Sequence, residues 1–197
     1  MLMVESLPKT LVVMALAAES DGVFESAGVP VLYCGVGKVN AAIALTRELS
    51  RYAQARESWP LVVNFGTAGS RLHRAGSMVA CHEFIQRDMD VRGLGFALGV
   101  TPFDATPATL QFASVFTHLA PAVCGSGDSF ATVQSEAACD VVDMEAYALA
   151  KACRLTGAAF ACAKYVTDGA DHGAADDWQN NVHKAAAKFL NLYRTVQ

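Results

Sequence analysis

Two carboxylates stand close together in the stretch CDVVDMEAYALA (139–150), where a short apolar run changes into a helical pattern. Acidic residues suit the first turn of a helix, because the free N–H groups and the helix dipole favour negative charge there. Positions two apart on a helix diverge by roughly 200°, so Asp143 and Glu145 cannot share one face. If one of them caps the helix, the other is free to point into a cleft.

A third acid, Asp168, follows in the next strand-like run of the chain, AAFACAKYVTDGAD (158–171). Acids at the ends of two neighbouring elements favour a shared site over a solvated surface. Taken alone, Asp143 and Glu145 are also compatible with two capping acids on an ordinary amphipathic helix. That alternative stays open at this point.

The elements that must position these acids follow from composition and pattern. Hydrophobic residues make up 53% of the chain and charged residues 17%, which indicates a compact α/β protein with buried strands. A length of 197 residues fits one domain over 1–197. The patterns predict strands over 10–17, 29–34, 61–70, 77–84, 122–125 and the run before Asp168, and helices over 39–52 and 176–193. They predict a loop with short strands over 87–103 and a poor helix or irregular segment over 106–117.

Several functional classes are disfavoured by charge and spacing. A net charge of −4 without a Lys/Arg cluster argues against nucleic-acid binding. The run LVVMALAA is too short to span a bilayer and no signal peptide is evident, so we expect a cytoplasmic protein. The six cysteines show no ligand spacing and are expected to be buried, reduced thiols. Asp88 and Asp90 do not complete a calcium loop, so no metal site is expected.

Three glycine-rich stretches follow predicted strands. GVGKVN (35–40) fails as a dinucleotide fingerprint and as a Walker A loop, because the required third glycine and the Ser/Thr after lysine are missing. GTAG (66–69) exposes backbone where open α/β sheets bind ligands, although a tight turn explains the glycines equally well. In GSGDSF (125–130), Ser126 lacks the flanking glycines of a nucleophile elbow, and Phe130 is a candidate stacking side chain.

Seven short blocks occur together in a recognisable order. They are ALAAES (15–20), CGVGKVNAA (34–42), NFGTAGS (64–70), RDMDVRGLGF (87–96), GSGDSF (125–130), VVDMEAYA (141–148) and KYVTDGAD (164–171). In these blocks the sequence resembles the purine nucleoside phosphorylase/nucleosidase superfamily, and within it the 5′-methylthioadenosine/S-adenosylhomocysteine nucleosidases. The resemblance implies a three-layer α/β/α sandwich with a central mixed sheet.

The resemblance also implies a separate catalytic or binding role for each acid. Asp168 would be the general acid that protonates N7 of the purine, and Glu19 would help to activate the attacking water. Glu145 would hold the ribose 2′- and 3′-hydroxyls, with Met144 packing under the sugar. Thr67 stands where the family has a serine near the water and the sugar.

The remaining implied roles concern the two ends of the substrate. Phe130 would stack on the base, and the backbone around Ala131 would read its edge. The pocket for the 5′-substituent would be lined by Val91, Leu94 and Phe96. No cofactor is implied, and the expected partners are a small purine nucleoside and further copies of the chain in a homodimer or higher homo-oligomer.

Hydrolysis and phosphorolysis differ at the anion site. The superfamily's phosphorylases place arginine beside the glycine-rich strand end, where this chain has Asn64 and Phe65. Glu19 would repel phosphate there, so hydrolysis of an adenine nucleoside is favoured. The alternatives are a phosphorylase, a nucleosidase for another purine nucleoside, or a nucleoside-binding protein without catalysis. The chain departs from the family in a short segment between Glu19 and Val31, and in Lys164, which replaces an arginine.

Overall fold

The computed structural model describes residues 9–132 and 136–197, which contain one mixed eight-stranded sheet and six α-helices. The strands are β1 Thr10–Met14, β2 Val31–Tyr33, β3 Leu61–Gly69, β4 Met78–Gln86, β5 Thr109–Gln111, β6 Ala120–Ser126, β7 Val141–Asp143 and β8 Ala159–Asp168. The helices are α1 Ala17–Ser20, α2 Val23–Ser26, α3 Lys38–Ala55, α4 Ala146–Thr156, α5 Ala174–Asn181 and α6 Ala186–Tyr193.

The strand pairings bring distant parts of the chain to one sheet edge. Strand β1 lies parallel to both β2 and β3, and β3 lies parallel to β8 along most of its length. Strand β8 is antiparallel to β4, β4 and β6 are parallel, and β6 and β7 are parallel. Strand β7 returns to β3 through the pair Gly69↔Val142. The carboxyl ends of β1, β3 and β8 therefore meet beside β7.

Side-chain alternation along the strands separates the core into two layers. Val13 and Val62 face one side and belong to the cluster formed with α3 and α4. Their neighbours Val12 and Val63 face the other side and pack with Phe24 and the α6 residues Phe189, Leu190 and Leu192. Helices thus cover both faces of the sheet, and the expected three-layer α/β/α sandwich is confirmed.

Most predicted elements are present, with shifted ends. The first strand stops at Met14 and not at residue 17, because a turn of helix begins at Ala17 and carries Glu19. GTAG (66–69) is not a turn after a strand: β3 runs through Gly69, since its backbone pairs with β8 as far as Asp168. The closing helix expected over 176–193 is interrupted by a 3₁₀ segment, Val182–Ala185.

Two segments were predicted wrongly. Residues 87–103 contain no strand and only a 3₁₀ turn, Arg92–Leu94, whose polar atoms bond to nearby side chains. The segment 106–117 contains strand β5, because Thr109–Gln111 pairs with the edge of β4. Five of the six cysteines are buried and Cys139 is half-buried. Within the described ranges, none of the helices combines the length and apolarity needed to cross a membrane.

Candidate active site

A cavity of about 320 Å³ opens where β3, β7 and β8 end. Its walls include seven of the residues singled out from the sequence, which come from five separate stretches of the chain: Glu19, Thr67, Phe130, Ala131, Met144, Glu145 and Asp168. The three acids assigned to chemistry therefore face one hollow. These three residues are 4–8% exposed, so each acid is largely shielded from water.

Glu19 is held by four donors. The amides of Ala15 and Leu16 donate to its Oε2 at 2.9 and 3.3 Å. The amide and hydroxyl of Thr67 donate to its Oε1 at 2.7 and 3.0 Å. The short helix α1 thus turns the side chain back over the end of β1, and Gly66 leaves room for it, since a Cβ there would lie 3.2 Å from Oε1.

Asp168 ends β8 and lies against the backbone of β3. The Thr167 hydroxyl donates to its Oδ2 at 2.7 Å, and the Ala170 amide donates to its Oδ1 at 3.0 Å. Burial raises the pKa of Asp168 above the ordinary aspartate value, although these two hydrogen bonds oppose the rise. Gly69 permits this approach, because a Cβ at that position would lie 2.5 Å from Oδ1.

Asp143 and Glu145 take different directions, although neither lies within the helix: Asp143 ends β7, and Glu145 stands between β7 and α4. Asp143 accepts from the Ala146 amide at 2.9 Å, at the start of α4, and pairs with the buried Lys164 ammonium at 2.8 Å. Burial raises the pKa of Asp143, but the charge of Lys164 and the hydrogen bonds to Asp143 together lower it by a larger amount, so the net shift is downward. Glu145 points to the cavity and accepts from the Gly37 amide at 2.8 Å.

The surroundings of Glu145 change the pKa of its carboxyl group. Burial, reinforced by the negative charge of Asp143, raises the pKa of Glu145 to about 7. The Gly37 amide and Lys164 oppose this rise. At neutral pH the group therefore exchanges between a proton donor and an acceptor, both of which suit a hydroxyl ligand.

Comparison with known proteins agrees with this architecture. Residues 22–196 match the family model described as the Phosphorylase superfamily. The chain belongs to this superfamily. It is 30% identical over 188 residues to a 5′-methylthioadenosine/S-adenosylhomocysteine nucleosidase from Marinomonas sp., with 84% of this chain and 78% of that protein covered.

Solved structures of the superfamily share the fold. A nucleosidase of the same name from Colwellia psychrerythraea, in complex with adenine, superposes with a TM-score of 0.81 at 20% identity, covering 97% of this chain and 95% of its own. Native futalosine hydrolase of Helicobacter pylori superposes with a TM-score of 0.82 at 19% identity, covering 96% and 97%. At these identities the likeness shows the fold alone.

Three residues that the superfamily resemblance assigns to the 5′-pocket do not line this chain's cavity: Val91, Leu94 and Phe96. Leu94 is 73% exposed, and the Phe96 ring packs edge-on against Phe103 with centroids 5.7 Å apart. The structure does not bring these three side chains to the cavity, and their assignment to a 5′-pocket stays a prediction. The segment follows Asp88, which bonds to the Lys38 ammonium and to the Asp128 amide, and its residues 92–95 are exposed.

Other cavity residues were missed by sequence reasoning. Val36 reaches the cavity from the glycine-rich turn before α3, and Trp178 and Gln179 reach it from α5. Arg87 also lines it, and its guanidinium bonds to the backbone carbonyl of Ser129. Val36 and Arg87 lie inside blocks of the superfamily pattern, and Trp178 has the apolar spacing of a helix face, but neither signal indicates a cavity.

The acids considered for metal binding have other partners. Asp90 pairs with Arg92 at 2.6 Å, and Asp88 pairs with Lys38. Across residues 9–132 and 136–197, no group of three or more His, Cys, Asp or Glu side chains is arranged to hold a metal ion.

Proposed function

We propose that this protein hydrolyses the N-glycosidic bond of a purine nucleoside of the 5′-methylthioadenosine/S-adenosylhomocysteine class. The observation that carries the proposal is the convergence of Glu19, Glu145 and Asp168 on one cavity from three separate elements. A protein that only binds nucleosides has no need of a buried acid beside two further carboxylates. The nucleosidase relatives and the adenine bound to one of them support this substrate class.

In the proposed reaction, Asp168 donates a proton to N7 of the base. The bond between C1′ and N9 breaks, its electron pair passes to the purine, and the proton prevents release of an unstable anion. The raised pKa of Asp168 keeps this proton available at a higher pH than an ordinary aspartate allows. Phe130 stacks on the base, and the Ala131 backbone hydrogen-bonds its edge.

The sugar becomes positively charged as the base departs. Water attacks C1′ and releases a proton toward Glu19, while Thr67 lies between them and Met144 packs under the ribose. Glu145 binds the ribose hydroxyls. Carboxylates around the sugar stabilise its oxocarbenium character more than the neutral substrate, so they lower the barrier.

The charges near Glu19 favour water over phosphate as the nucleophile. Lys164 and Glu19 both approach Gly66, but the Lys164 charge is taken up by Asp143 at 2.8 Å. Arg87, a cation that lines the cavity, is bonded to Ser129. Neither arrangement resembles the free bidentate arginine that binds phosphate well.

We also propose that 1–197 acts as one nucleosidase-like domain and assembles as a homodimer. Support comes from apolar side chains that are exposed on α3 and in the turn before it. Val39 and Ile43 are 66% and 54% exposed on one side of α3, and Val36 precedes them at 41%. Exposed apolar side chains grouped on one face of a helix are typical of interaction surfaces.

Purified protein with methylthioadenosine tests the proposal. Adenine release should occur at the same rate with and without phosphate, and the sugar product should carry no phosphate. Dependence on phosphate with a sugar-phosphate product would make the protein a phosphorylase. Tight nucleoside binding without turnover would make it a binding protein, and turnover of other purine nucleosides alone would change the substrate.

A further inference from the structure

Helix α5 forms one wall of the cavity but is weakly buried. Of its residues only Ala174 is fully buried, while Trp178 is half-buried. Two side chains one turn apart connect the helix to the strand ends. The Trp178 indole N–H donates to Thr67 Oγ1 at 3.1 Å, and the Asn181 amide donates to the Thr167 carbonyl at 2.9 Å. Thr67 and Thr167 are the residues whose hydroxyls donate to Glu19 and Asp168.

The direction of the hydrogen bonds at Thr67 is determined by chemistry. An indole N–H can only donate, so the Thr67 oxygen must accept from Trp178. The single hydroxyl proton of Thr67 is then free to be donated to Glu19 Oε1, 3.0 Å away. A hydroxyl oxygen has two lone pairs, and Trp178 uses one of them. The second lone pair remains for another donor in the cavity.

We propose that Trp178 is a positioning residue for hydrolysis. Its indole N–H holds the Thr67 hydroxyl in the orientation that donates to Glu19 and leaves one oxygen lone pair for the attacking water. The inference rests on the proposed function. It gives helix α5 a role in aligning the water, because the two hydrogen bonds Trp178–Thr67 and Thr67–Glu19 connect α5 through β3 to α1.

The number of hydrogen bonds that the Glu19 carboxylate already accepts explains why this orientation matters. Its two oxygens already accept from the amides of Ala15, Leu16 and Thr67 and from the Thr67 hydroxyl. An ionised carboxylate has about four acceptor positions. Water therefore reaches Glu19 through the Thr67 hydroxyl or by displacing it. In the first case the water donates to Thr67 while Thr67 donates to Glu19, and no bond is lost.

A double-mutant cycle tests this inference. Trp178→Phe keeps a ring in the cavity wall and removes the N–H, so kcat for methylthioadenosine should fall about fivefold while KM changes less than about twofold. Thr67→Val should lower kcat about tenfold or more. In the Thr67→Val background, Trp178→Phe should have almost no further effect. An undiminished fivefold effect there, or wild-type kcat in Trp178→Phe alone, would overturn the proposal.

A spectroscopic measurement separates this inference from the proposed function. The chain has two tryptophans, so the indole N–H resonance of Trp178 is identified by its loss in Trp178→Phe. Thr67→Val should move that resonance and speed its exchange with solvent, whether or not the protein turns over nucleoside. An unmoved resonance contradicts the hydrogen bond itself. Asn180→Ala, an exposed change on the same helix, should alter neither the resonance nor kcat.

Discussion

Asp168 combines deep burial with hydrogen bonds from only one hydroxyl and one amide, and it shares the cavity with two further acids. Asp168→Asn keeps the shape and removes the proton to be donated. We expect kcat to fall by about two orders of magnitude or more, with the dissociation constant for methylthioadenosine largely unchanged. Single-turnover kinetics and calorimetry measure the two quantities.

The matched control for this variant is Asp176→Asn, which neutralises an exposed acid in the first turn of α5. It should leave both kcat and the dissociation constant unchanged. An active Asp168→Asn protein would remove Asp168 from the role of general acid.

Glu145 links stability to pH. Because its pKa is about 7 in the folded chain against an ordinary 4.5, the unfolded chain releases this proton first as pH rises. The contribution of Glu145 to the free energy of unfolding is therefore fully present below pH 4.5. It declines by up to about 3 kcal/mol as pH rises to about 7. Glu145→Gln should remove that decline.

Urea unfolding at pH 5 and pH 8 provides the measurement. The Glu145→Gln variant should match the wild type at pH 5 and exceed its stability at pH 8, while its kcat/KM for methylthioadenosine should fall. Parallel pH dependences for the two proteins would show that Glu145 is not the buried acid responsible.

At the scale of elements, strands β7 and β8 are joined by a buried ion pair. The Lys164 ammonium, on β8, lies 2.8 Å from Asp143 at the end of β7, and both residues are at most 7% exposed. Asp143 also accepts from the Ser126 hydroxyl on β6. Asp143, which lines the cavity, thus connects the ends of β6 and β7 to β8.

Breaking this pair should be costly. Lys164→Met leaves Asp143 as an uncompensated buried charge, and we expect a loss of about 3–5 kcal/mol in the free energy of unfolding, measured with urea. Adding Asp143→Asn removes that charge and keeps an acceptor for the Ala146 amide, so the double variant should recover part of the loss. Equal stability of the single and double variants would contradict this account.

At the scale of the whole molecule, the apolar side of α3 predicts the assembly. We expect the wild type to sediment as a dimer and Val39→Lys/Ile43→Lys to sediment as a monomer, because both side chains lie exposed one turn apart. Gln54→Lys, which adds a charge at an exposed polar position of the same helix, should leave the dimer intact. A monomeric wild type would refute the assembly.

Much of the architecture could be predicted from the sequence because it depends on local period. Buried strands such as β1 and β8 have continuous apolar runs, and α3 and α6 show helical spacing, so their existence and order were predictable. Asp143, Glu145 and Asp168 were also found, because each stands at or next to the end of a regular element. Glu19 was identified only through its block in the superfamily pattern.

Contacts between distant segments were decided by the tertiary structure. Trp178 reaches Thr67 across 111 positions, and Glu145 reaches Gly37 across 108, only because strand register brings their elements together. The segment that carries Val91, Leu94 and Phe96 begins at an ion pair between Asp88 and Lys38, which stand 50 positions apart in the sequence. Local spacing determines which face of an element is apolar. Which elements then meet depends on pairing and packing over the whole chain, and these have no short-range pattern in the sequence.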